Sequence, residues 1–296
     1  MIISIASGKG GTGKTTVAVN LALALKDLFP LQFLDCDVEE PNAHFFLKPE
    51  LKEQIIVDIP VPEIDEKKCD FCGKCAEICA YNALAVLKDT VMVFPELCHG
   101  CGGCSLLCPQ EAIVEKGRRC GVIDFGKAGK SGKVGSISFI GGKLDIGQAM
   151  APPVIRKMKK FINPLRQVII DAPPGTSCPV IEAVKGSDFC LLVTEPTPFG
   201  LNDLRLAVET VKEMGIPLGV IINRDGAGEG DSGVEDYCHE ENISVLMKIP
   251  LEREIAVAYS EGKSIIEYKS SWKAKFIELF EAIRSFGVRG KEVLKQ

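Results

Sequence analysis

The fold is decided by the stretch Gly8-Lys9-Gly10-Gly11-Thr12-Gly13-Lys14-Thr15. This stretch satisfies the pattern G-x4-G-K-[ST], follows an apolar run at residues 2–7 and precedes apolar residues at helical spacing over residues 15–28. Between a buried strand and a helix, such glycines let backbone N–H groups face phosphates at the positive end of the helix dipole. The sequence therefore predicts a phosphate-binding loop rather than a chance glycine-rich turn.

Individual side chains in this loop have predicted tasks. We expect Lys14 to contact the β- and γ-phosphates, the Thr15 hydroxyl to hold Mg²⁺, and Thr16 to lie on the α-phosphate side. ATP is the expected cofactor, together with Mg²⁺. The residues predicted to surround its phosphates are Gly8, Gly10, Gly11, Thr12, Gly13, Lys14, Thr15 and Thr16.

Beyond the loop, strand-like and helical patterns alternate along most of the chain. Apolar runs typical of buried strands lie at residues 31–34, 134–140, 167–170, 189–193, 218–222 and 245–249. Helical spacing is found near residues 153–161, 178–186, 200–214, 234–241, 252–261 and 271–286. This order predicts an α/β domain with a doubly wound, mostly parallel sheet.

The α/β pattern is interrupted once. We expect residues 1–59 and 119–296 to form the α/β domain, and residues 60–118 to be an inserted small α+β unit. Pro60 and Pro62 mark the predicted entry to the insertion. Gly117 begins a glycine-rich stretch, which predicts a connector between the insertion and the rest of the α/β domain. A mobile loop is predicted at residues 131–133 within this stretch.

Overall composition points to a soluble globular protein. The 296 residues are 46% hydrophobic and 25% charged, and the net charge of −5 does not favour nucleic-acid binding. No apolar run is long enough to cross a membrane, and the first residues lack the features of a signal peptide. We therefore expect a cytoplasmic protein without stable membrane insertion. The helix predicted at residues 271–286 is read as a closing helix on the sheet, with an amphipathic membrane anchor as the alternative.

Eight of the thirteen cysteines lie in one short part of the chain. Cysteines at residues 69, 72, 75 and 79 have the spacing C-x2-C-x2-C-x3-C, which recurs 29 residues later at 98, 101, 104 and 108. A unit this small cannot fold on a hydrophobic core alone. Clustered thiols in a chain without an export signal favour metal ligation over disulfides. Zinc sites are the alternative, but they use C-x2-C pairs separated by longer gaps.

This spacing resembles that of bacterial two-cluster ferredoxins over about residues 64–117. The resemblance implies two [4Fe–4S] clusters, in which the fourth cysteine of each run reaches the other cluster. Ala80 follows the first run where the pattern has proline, as in Pro109 after the second run. Electron transfer is the implied task, with a purely structural role as the alternative. The implied ligands are Cys69, Cys72, Cys75 and Cys108 for one cluster, and Cys98, Cys101, Cys104 and Cys79 for the other.

The phosphate loop, read as GKGGTGKT, resembles the deviant Walker A motif of the MinD, ParA, Mrp and nitrogenase iron protein class of P-loop ATPases. In that class the additional lysine, here Lys9, reaches the nucleotide of a partner subunit. The resemblance therefore implies that two subunits enclose two ATP molecules, as an ATP-dependent homodimer or a heterodimer with a paralogue. A solvated loop lysine is the simpler alternative.

Further positions match motifs of the same class. Asp37 matches the switch I aspartate that orients the attacking water, and Asp171 matches the Walker B position that binds Mg²⁺ together with Thr15. The pair Asn223-Arg224 resembles the segment that reads adenine, and Pro250 is placed to pack against the base. Ordinary turn or cap residues are the alternative for each. The implied catalytic residues are Lys9, Lys14, Asp37 and Asp171.

Together these motifs predict a slow Mg²⁺-dependent ATPase. Its function would be to couple an ATP-driven dimer or conformational change to electron transfer through the two clusters, with a redox partner of unspecified identity. Assembly or delivery of iron–sulfur or other metal clusters is one alternative, although the C-terminal C-x2-C of Mrp-type carriers is missing. A MinD/ParA-like positioning ATPase with structural clusters is another. Cys178, with Cys120, is the candidate for a third cluster between subunits, and the roles of both thiols stay open.

The cysteine spacing generates a first prediction. Anaerobically purified protein should contain about eight iron atoms per chain, because two four-cysteine sets each hold one [4Fe–4S] cluster. Metal analysis measures the iron, and electron paramagnetic resonance of the reduced protein should show two interacting S = 1/2 centres. Stoichiometric zinc without iron would contradict the assignment.

Overall fold

The computed structural model describes residues 1–129, 135–226 and 233–293, with side chains described up to residue 286. The loop predicted at residues 131–133 and the first residue of the strand predicted at 134–140 lie outside the described residues. The strands are β1 (Ile2–Ala6), β2 (Leu31–Asp35), β3 (Glu50–Ile64), β4 (Leu84–Val86), β5 (Val91–Val93), β6 (Ile113–Gly129), β7 (Ser136–Leu144), β8 (Gln167–Asp171), β9 (Phe189–Thr194), β10 (Leu218–Asp225) and β11 (Val245–Pro250).

Helices connect most of these strands. They are α1 (Lys14–Leu25), α2 (Ala43–Leu47), α3 (Lys74–Ile78), α4 (Gly103–Leu106), α5 (Pro152–Lys159), α6 (Cys178–Val184), α7 (Pro198–Glu213), α8 (Val234–Glu240), α9 (Arg253–Ser260), α10 (Ile265–Tyr268) and α11 (Trp272–Val293). The α/β alternation predicted from the apolar patterns is confirmed.

One nine-stranded sheet organises the molecule, in the order β11-β10-β9-β1-β8-β2-β7-β6-β3. The pairs from β11 to β7 are parallel, and β6 and β3 add two antiparallel strands at one edge. β1 lies in the middle, where Ile3 to Ala6 are buried on both faces. Continuous apolar runs are what a sheet covered by helices on both faces requires.

Two hydrophobic cores, one on each face, result from the alternation of side chains along the strands. Helices α5, α6, α7 and α8 cover one face, and α1, α2, α10 and α11 cover the other. The apolar side of α11 is buried, with Phe276, Phe280 and Ile283 each 0% exposed. The predicted closing helix is therefore confirmed. None of the described helices is both long and apolar enough to cross a membrane.

The two strands β3 and β6 form a long ribbon that leaves the sheet edge. Their pairing runs from Glu50 opposite Lys127 to Ile64 opposite Ile113, while β7 pairs only with residues 121–129 of β6. The predicted boundaries of the insertion, at residues 59/60 and 118/119, therefore fall inside these strands.

The connector predicted from Gly117 onward is wrong, because β6 continues without a break to Gly129. Its glycines permit close approach of neighbours. A Cβ atom on Gly121 would lie 2.5 Å from the Lys143 carbonyl oxygen, and one on Gly126 would lie 2.7 Å from the Glu50 carbonyl oxygen. Both residues are glycines because there is no space for a side chain.

Pro60 and Pro62 lie within β3 rather than at a chain reversal. β3 is the edge strand, and prolines are tolerated there because one side of the strand needs no N–H donors. The prolines thus conceal a strand whose apolar residues Val57, Ile59 and Val61 are buried.

At the far end of the ribbon, residues 65–112 form the cysteine unit, which carries α3, α4 and the two-stranded β4–β5 sheet. Its sequence repeat is also a backbone repeat. Residues 29 positions apart have the same left-handed φ, namely Phe71 (55°) and Gly100 (63°), Gly73 (81°) and Gly102 (75°), and Asn82 (52°) and Glu111 (47°). The duplication therefore specifies the same loop conformation twice.

The glycines of β6 provide a test of the ribbon. Gly121→Ala should lower the free energy of unfolding by about 1–3 kcal/mol, because the added Cβ atom overlaps backbone that cannot move aside easily. Urea unfolding followed by circular dichroism measures the change. Gly117→Ala, in the same strand, is the control, since its nearest neighbour is the Asp58 Cβ atom at 3.3 Å. Equal losses from both substitutions would contradict the close-approach explanation.

Candidate functional site

The phosphate loop lies between β1 and α1 and is braced by a neighbouring strand. Gly13, at φ 96°, precedes the first turn of α1. The Asn223 side chain at the end of β10 donates a hydrogen bond from Nδ2 to the Thr12 carbonyl oxygen at 2.7 Å. A Cβ atom on Gly13 would lie 2.3 Å from that nitrogen. Asn223, for which the resemblance implies a contact with adenine, is observed to support the loop.

Gly8 is required for a different reason. A Cβ atom there would lie 2.1 Å from the Asp203 carbonyl oxygen, in α7. Glycine at this position lets α7 pack directly on the start of the loop. Both ends of the loop are thus defined by contacts with elements that are distant in sequence.

A cleft of about 350 Å³ opens beside the loop. Ten of the predicted nucleotide-site residues line it, namely Gly10, Gly11, Gly13, Lys14, Thr15, Thr16, Asp37, Asn223, Arg224 and Pro250. Gly8, Lys9, Thr12 and Asp171 are not among its lining residues.

The cleft also has walls that sequence reasoning missed. Phe46 of α2 and Tyr259 of α9 line it, and their ring centroids lie 4.9 Å apart. Ser264, Lys263 and Asn42 complete this side. No local motif marks these residues, because they come from helices that meet only in the folded chain.

Acidic side chains converge where β2 and β8 end. Asp35 is opposite Asp171 in the parallel pairing of these strands, and both are fully buried. Burial raises the pKa of Asp171 to about 7; Thr15 and Lys14 oppose this shift, whereas Asp37 adds to it. Burial, followed by the charge of Asp171, raises the pKa of Asp35 well above its ordinary value.

Lys14 supplies positive charge to this group. Burial lowers the pKa of Lys14, while Asp171 and Asp37 oppose the shift. Burial also raises the pKa of Asp37, and Lys14 opposes that rise. One ammonium and several carboxyl groups are therefore assembled at the carboxyl edge of the sheet, where α/β folds bind ligands.

Several buried atoms in this group lack a hydrogen-bond partner among the described residues. They are Oδ1 and Oδ2 of Asp171, Oδ1 of Asp35 and Oγ1 of Thr12. The Thr15 hydroxyl lies near Asp171 and lowers its pKa, but does not complete a hydrogen bond of acceptable geometry. Buried oxygens of this kind need water or a cation. They fit the water shell of Mg²⁺, which prefers carboxylate oxygens.

The Lys9 side chain forms an ion pair with a residue of its own chain. Its Nζ atom lies 3.6 Å from Oε2 of Glu195, which follows β9. Arg224 donates from Nη1 to Oε1 of the same carboxylate. The sequence places Glu195 at the carboxyl end of a strand and hence close to the site, with a turn or cap residue as the alternative. Its two ion pairs were not predicted, because contacts between residues so distant in sequence leave no local pattern.

The eight clustered cysteines divide between two cavities of the cysteine unit. The tip cavity, beside Ile64 and Ile113, is lined by Cys69, Cys72, Cys75 and Cys108. The inner cavity, beside Pro60 and Pro62, is lined by Cys79, Cys98, Cys101 and Cys104. Each cavity thus has three cysteines from one run and the fourth from the other.

Backbone donors already face several of these sulfurs. The N–H groups of Ala83 and Ala112 donate to Cys79 Sγ and Cys108 Sγ, each at 3.3 Å, and Gly100 donates to Cys98 Sγ at 3.4 Å. In the part of the chain that is described, no three His, Cys, Asp or Glu side chains converge on one metal-ion position. The sulfurs instead surround cavities, which suits a cluster that takes one thiolate at each of four corners.

The remaining thiols have separate places. Cys120 is buried, and its Sγ donates to the Val57 carbonyl oxygen at 3.2 Å. Cys178 begins α6 and is exposed. Burial raises the pKa of Cys190 to about 12, as expected for a small apolar residue of β9.

Comparison with known proteins defines the family. Residues 3–265 match the model of the CobQ/CobB/MinD/ParA nucleotide binding domain. The chain is 30% identical to the uncharacterized protein MJ0579 of Methanocaldococcus jannaschii, over 90% of this chain and 92% of that protein. It is 26% identical to the iron-sulfur cluster carrier protein of Pyrococcus horikoshii, over 95% of this chain and 84% of that protein.

Solved structures show the same fold. The septum site-determining protein MinD of Pyrococcus horikoshii, complexed with Mg-ADP, has a TM-score of 0.58 at 22% identity, and 95% of each chain is covered. The cell division ATPase MinD of Pyrococcus furiosus also has a TM-score of 0.58, at 21% identity, over 96% of this chain and 98% of that one. The α/β fold with a mostly parallel sheet is thereby confirmed. This chain has the fold of the P-loop ATPase MinD and belongs to the family of the CobQ/CobB/MinD/ParA nucleotide-binding domain.

Proposed function

We propose that this protein uses Mg²⁺-dependent ATP hydrolysis to control electron transfer through two [4Fe–4S] clusters. The observation that carries the proposal is the position of the cysteine unit, on a ribbon that leaves the sheet at the same edge as the ATP site. Asp35, at the carboxyl end of β2, is opposite Gly141 of β7, and β6 leaves β7 just beyond this point, at Gly121 opposite Leu144. α2, whose Phe46 lines the cleft, is followed closely by β3, and β6 returns into β7. The base of the ribbon therefore lies at the edge of the sheet that carries the nucleotide residues.

On the nucleotide side, this chain's residues bind and orient. The loop N–H groups and Lys14 bind phosphates, and Thr15 and Asp171 hold Mg²⁺, which supplies charge stabilisation of the reacting phosphoryl group. Asp37, half-buried in the cleft wall, orients the attacking water. The unpartnered oxygens of Asp171 support this assignment.

On the cysteine side, the two cavities support the crossed ligand sets. Cys69, Cys72, Cys75 and Cys108 would hold one cluster, and Cys98, Cys101, Cys104 and Cys79 the other. Such clusters supply one-electron chemistry, and N–H donors to the sulfurs tune their potential. The backbone donors to Cys79, Cys98 and Cys108 already provide such contacts.

A continuous set of contacts joins the two sites. Val38, next to Asp37, accepts a hydrogen bond from the Leu144 N–H at 2.9 Å. The following residue, Asp145, donates its N–H to the Cys120 carbonyl oxygen at 3.0 Å. Arg119 donates to both carboxylate oxygens of Asp145, at 2.7 and 3.1 Å. A movement of the Asp37 segment would therefore be transmitted to the base of the ribbon.

The ribbon is irregular at this base. Its register shifts between Val57 and Asp58, opposite Arg119, and the Cys120 thiol bonds the Val57 carbonyl oxygen. Such a β-bulge bends and twists a strand locally. Three residues further along, Pro60 packs against Gly100 of the inner cavity. A change of bend at Val57 would therefore reorient the loop that bears Cys98 and Cys101.

Association between copies is part of the proposal. ATP-bound subunits would pair as a homodimer or as a heterodimer with a paralogue, with Lys9 reaching the partner's nucleotide. The occurrence of two related proteins, MJ0578 and MJ0579, in Methanocaldococcus jannaschii supports the paralogue option, since the chain is 29% and 30% identical to them.

A second function, delivery of iron–sulfur clusters, is favoured by one observation. Several relatives are named iron-sulfur cluster carrier proteins, among them those of two Pyrococcus species at 26% identity. Delivery requires a labile cluster, whereas electron transfer requires retained ones. Incubation of the loaded protein with an apo-ferredoxin distinguishes them, because only a carrier would lose iron to the acceptor.

The nucleotide site leads to a prediction on turnover. Lys14→Ala should abolish ATP binding, because the phosphates lose their cation. Asp37→Ala should bind ATP with near wild-type affinity and hydrolyse it about 100-fold more slowly, because the attacking water loses its orienting carboxylate. Equilibrium binding and phosphate release measure the two effects. Full turnover by Asp37→Ala would contradict its assignment.

Coupling leads to another prediction. If ATP shifts the cluster potential, reduction must shift ATP affinity by the same free energy. A nonhydrolysable ATP analogue should therefore bind oxidised and dithionite-reduced protein with different affinities, and Asp145→Asn should reduce that difference while iron content is retained.

The control for this experiment is Glu63→Gln, which breaks the Lys116–Glu63 ion pair further along the same ribbon. This variant should keep the full difference in affinity. Equal affinities in both redox states of the wild type would mean that the two sites are independent, and the coupled function would be refuted.

A further inference from the structure

Glu195 follows β9, the strand that lies between β1, which leads into the phosphate loop, and β10, which carries Arg224. Its carboxylate is bound on one side by Lys9 of the phosphate loop, with Nζ 3.6 Å from Oε2, and on the other by Arg224 of β10. The Glu195 side chain is only 12% exposed, whereas that of Lys9 is 34% exposed. One shielded carboxylate is thus shared by two cations from separate parts of the site.

The backbone around this carboxylate is rigid. The Glu195 carbonyl oxygen accepts a hydrogen bond from the Thr197 N–H at 2.8 Å, and Thr197 caps the start of α7 through Gly200. A Cβ atom on Gly200 would lie 2.3 Å from the Glu195 carbonyl oxygen. The turn therefore leaves Glu195 little freedom to follow a lysine that moves away.

The Lys9 side chain, in contrast to Glu195, has freedom to move. Its carbonyl oxygen is bound by the Ser7 hydroxyl, so its backbone is held within the loop. Its side chain has one described ion pair, to Glu195, and is partly exposed. A long side chain with a fixed base can exchange one anionic partner for another without movement of the loop.

Arg224 makes such an exchange feasible. A shielded carboxylate without any cation is strongly unfavourable, but Glu195 would keep the guanidinium of Arg224 after Lys9 leaves. Arg224 has φ 56°, a left-handed conformation that is uncommon for a residue other than glycine. Strained residues of this kind persist where the surrounding contacts hold them, and the ion pair with Glu195 is such a contact.

We propose that Glu195 is a positioning residue that holds Lys9 within its own subunit and so restrains ATP-driven association of two copies. This inference rests on the proposed function, in which Lys9 reaches the phosphates of the partner's ATP. One ammonium cannot be fully engaged by the carboxylate and by those phosphates at once. Association therefore exchanges the Lys9–Glu195 pair for a Lys9–phosphate pair in each subunit.

The exchange sets the direction of the effect. A ligand shifts an equilibrium by its difference in affinity for the two states. Neutral glutamine in place of Glu195 would weaken the state that holds Lys9 back, while its side-chain oxygen still accepts a hydrogen bond from Arg224. A partly exposed pair contributes up to roughly fivefold to an equilibrium constant. Since two pairs open in each dimer, Glu195→Gln should tighten the dimer by up to about 25-fold.

The test measures dimer dissociation constants by sedimentation velocity with a nonhydrolysable ATP analogue and Mg²⁺. The four proteins are wild type, Glu195→Gln, Lys9→Ala and the double variant. We expect Glu195→Gln to dimerise more tightly than wild type, and to have no such effect in the Lys9→Ala background. A merely structural role of Glu195 would not depend on Lys9. Glu241→Gln, which breaks the exposed Lys212–Glu241 pair, is the control and should match wild type.

Different failures are distinguishable. If Lys9→Ala dimerises as tightly as wild type, the proposed contact of Lys9 across the interface fails. If Lys9→Ala weakens the dimer but Glu195→Gln leaves it unchanged or weakens it, only the restraint is refuted. Binding of a fluorescent ATP analogue to dilute monomer shows whether Glu195→Gln has disturbed Arg224 and nucleotide binding. If dimers form neither in wild type nor in Glu195→Gln, the restraint is refuted together with the dimer.

Discussion

The burial of several carboxyl groups beside one ammonium is the constraint on which the rest of the structure depends. Asp35 and Asp171 are 0% exposed, and the charge of Lys14 interacts with Asp171 and Asp37. Uncompensated buried charge is strongly unfavourable, which supports the proposed binding of a cation at this edge of the sheet. The Ala43 N–H donates to Asp35 Oδ2 at 3.0 Å, and α2 is positioned by that bond. The helix that precedes β3 is therefore positioned by a carboxylate of the nucleotide site.

Much of this architecture could be predicted from local sequence. The phosphate loop is marked by a sequence motif, and the parallel strands are marked by apolar runs. Both were predicted with bounds close to those observed. β3 and β6 were missed because Pro60, Pro62 and the glycines of β6 normally interrupt strands. Their use here depends on an edge position and on close contacts, which only the assembled sheet defines. The ion pairs of Glu195 and the Phe46–Tyr259 wall were missed for the same reason, since distant segments create them.

The cysteine unit shows how a repeat in sequence becomes a repeat in shape. Equal spacing of cysteines and of left-handed residues gives two similar loops, which exchange their fourth cysteines across the unit. The surroundings of the two cavities nevertheless differ. Cys98 and Cys104 are buried in the inner cavity, where Gly100 packs on Pro60, whereas their counterparts Cys69 and Cys75 in the tip cavity are half-buried. Contact with the ribbon therefore gives the two duplicated loops different degrees of burial.

The prolines of β3 have a consequence for the behaviour of the molecule in a crowded solution. A long, open edge strand is a template onto which strands of other molecules can add, which leads to aggregation. Pro60 and Pro62 lie two positions apart, so both lack the N–H group on the same, outward side of the strand. Four residues before Pro60, on the same strand, the Ile56 carbonyl oxygen accepts a hydrogen bond from Lys157 Nζ at 3.1 Å. The nine-stranded sheet therefore ends in an edge that resists continuation into a neighbouring molecule.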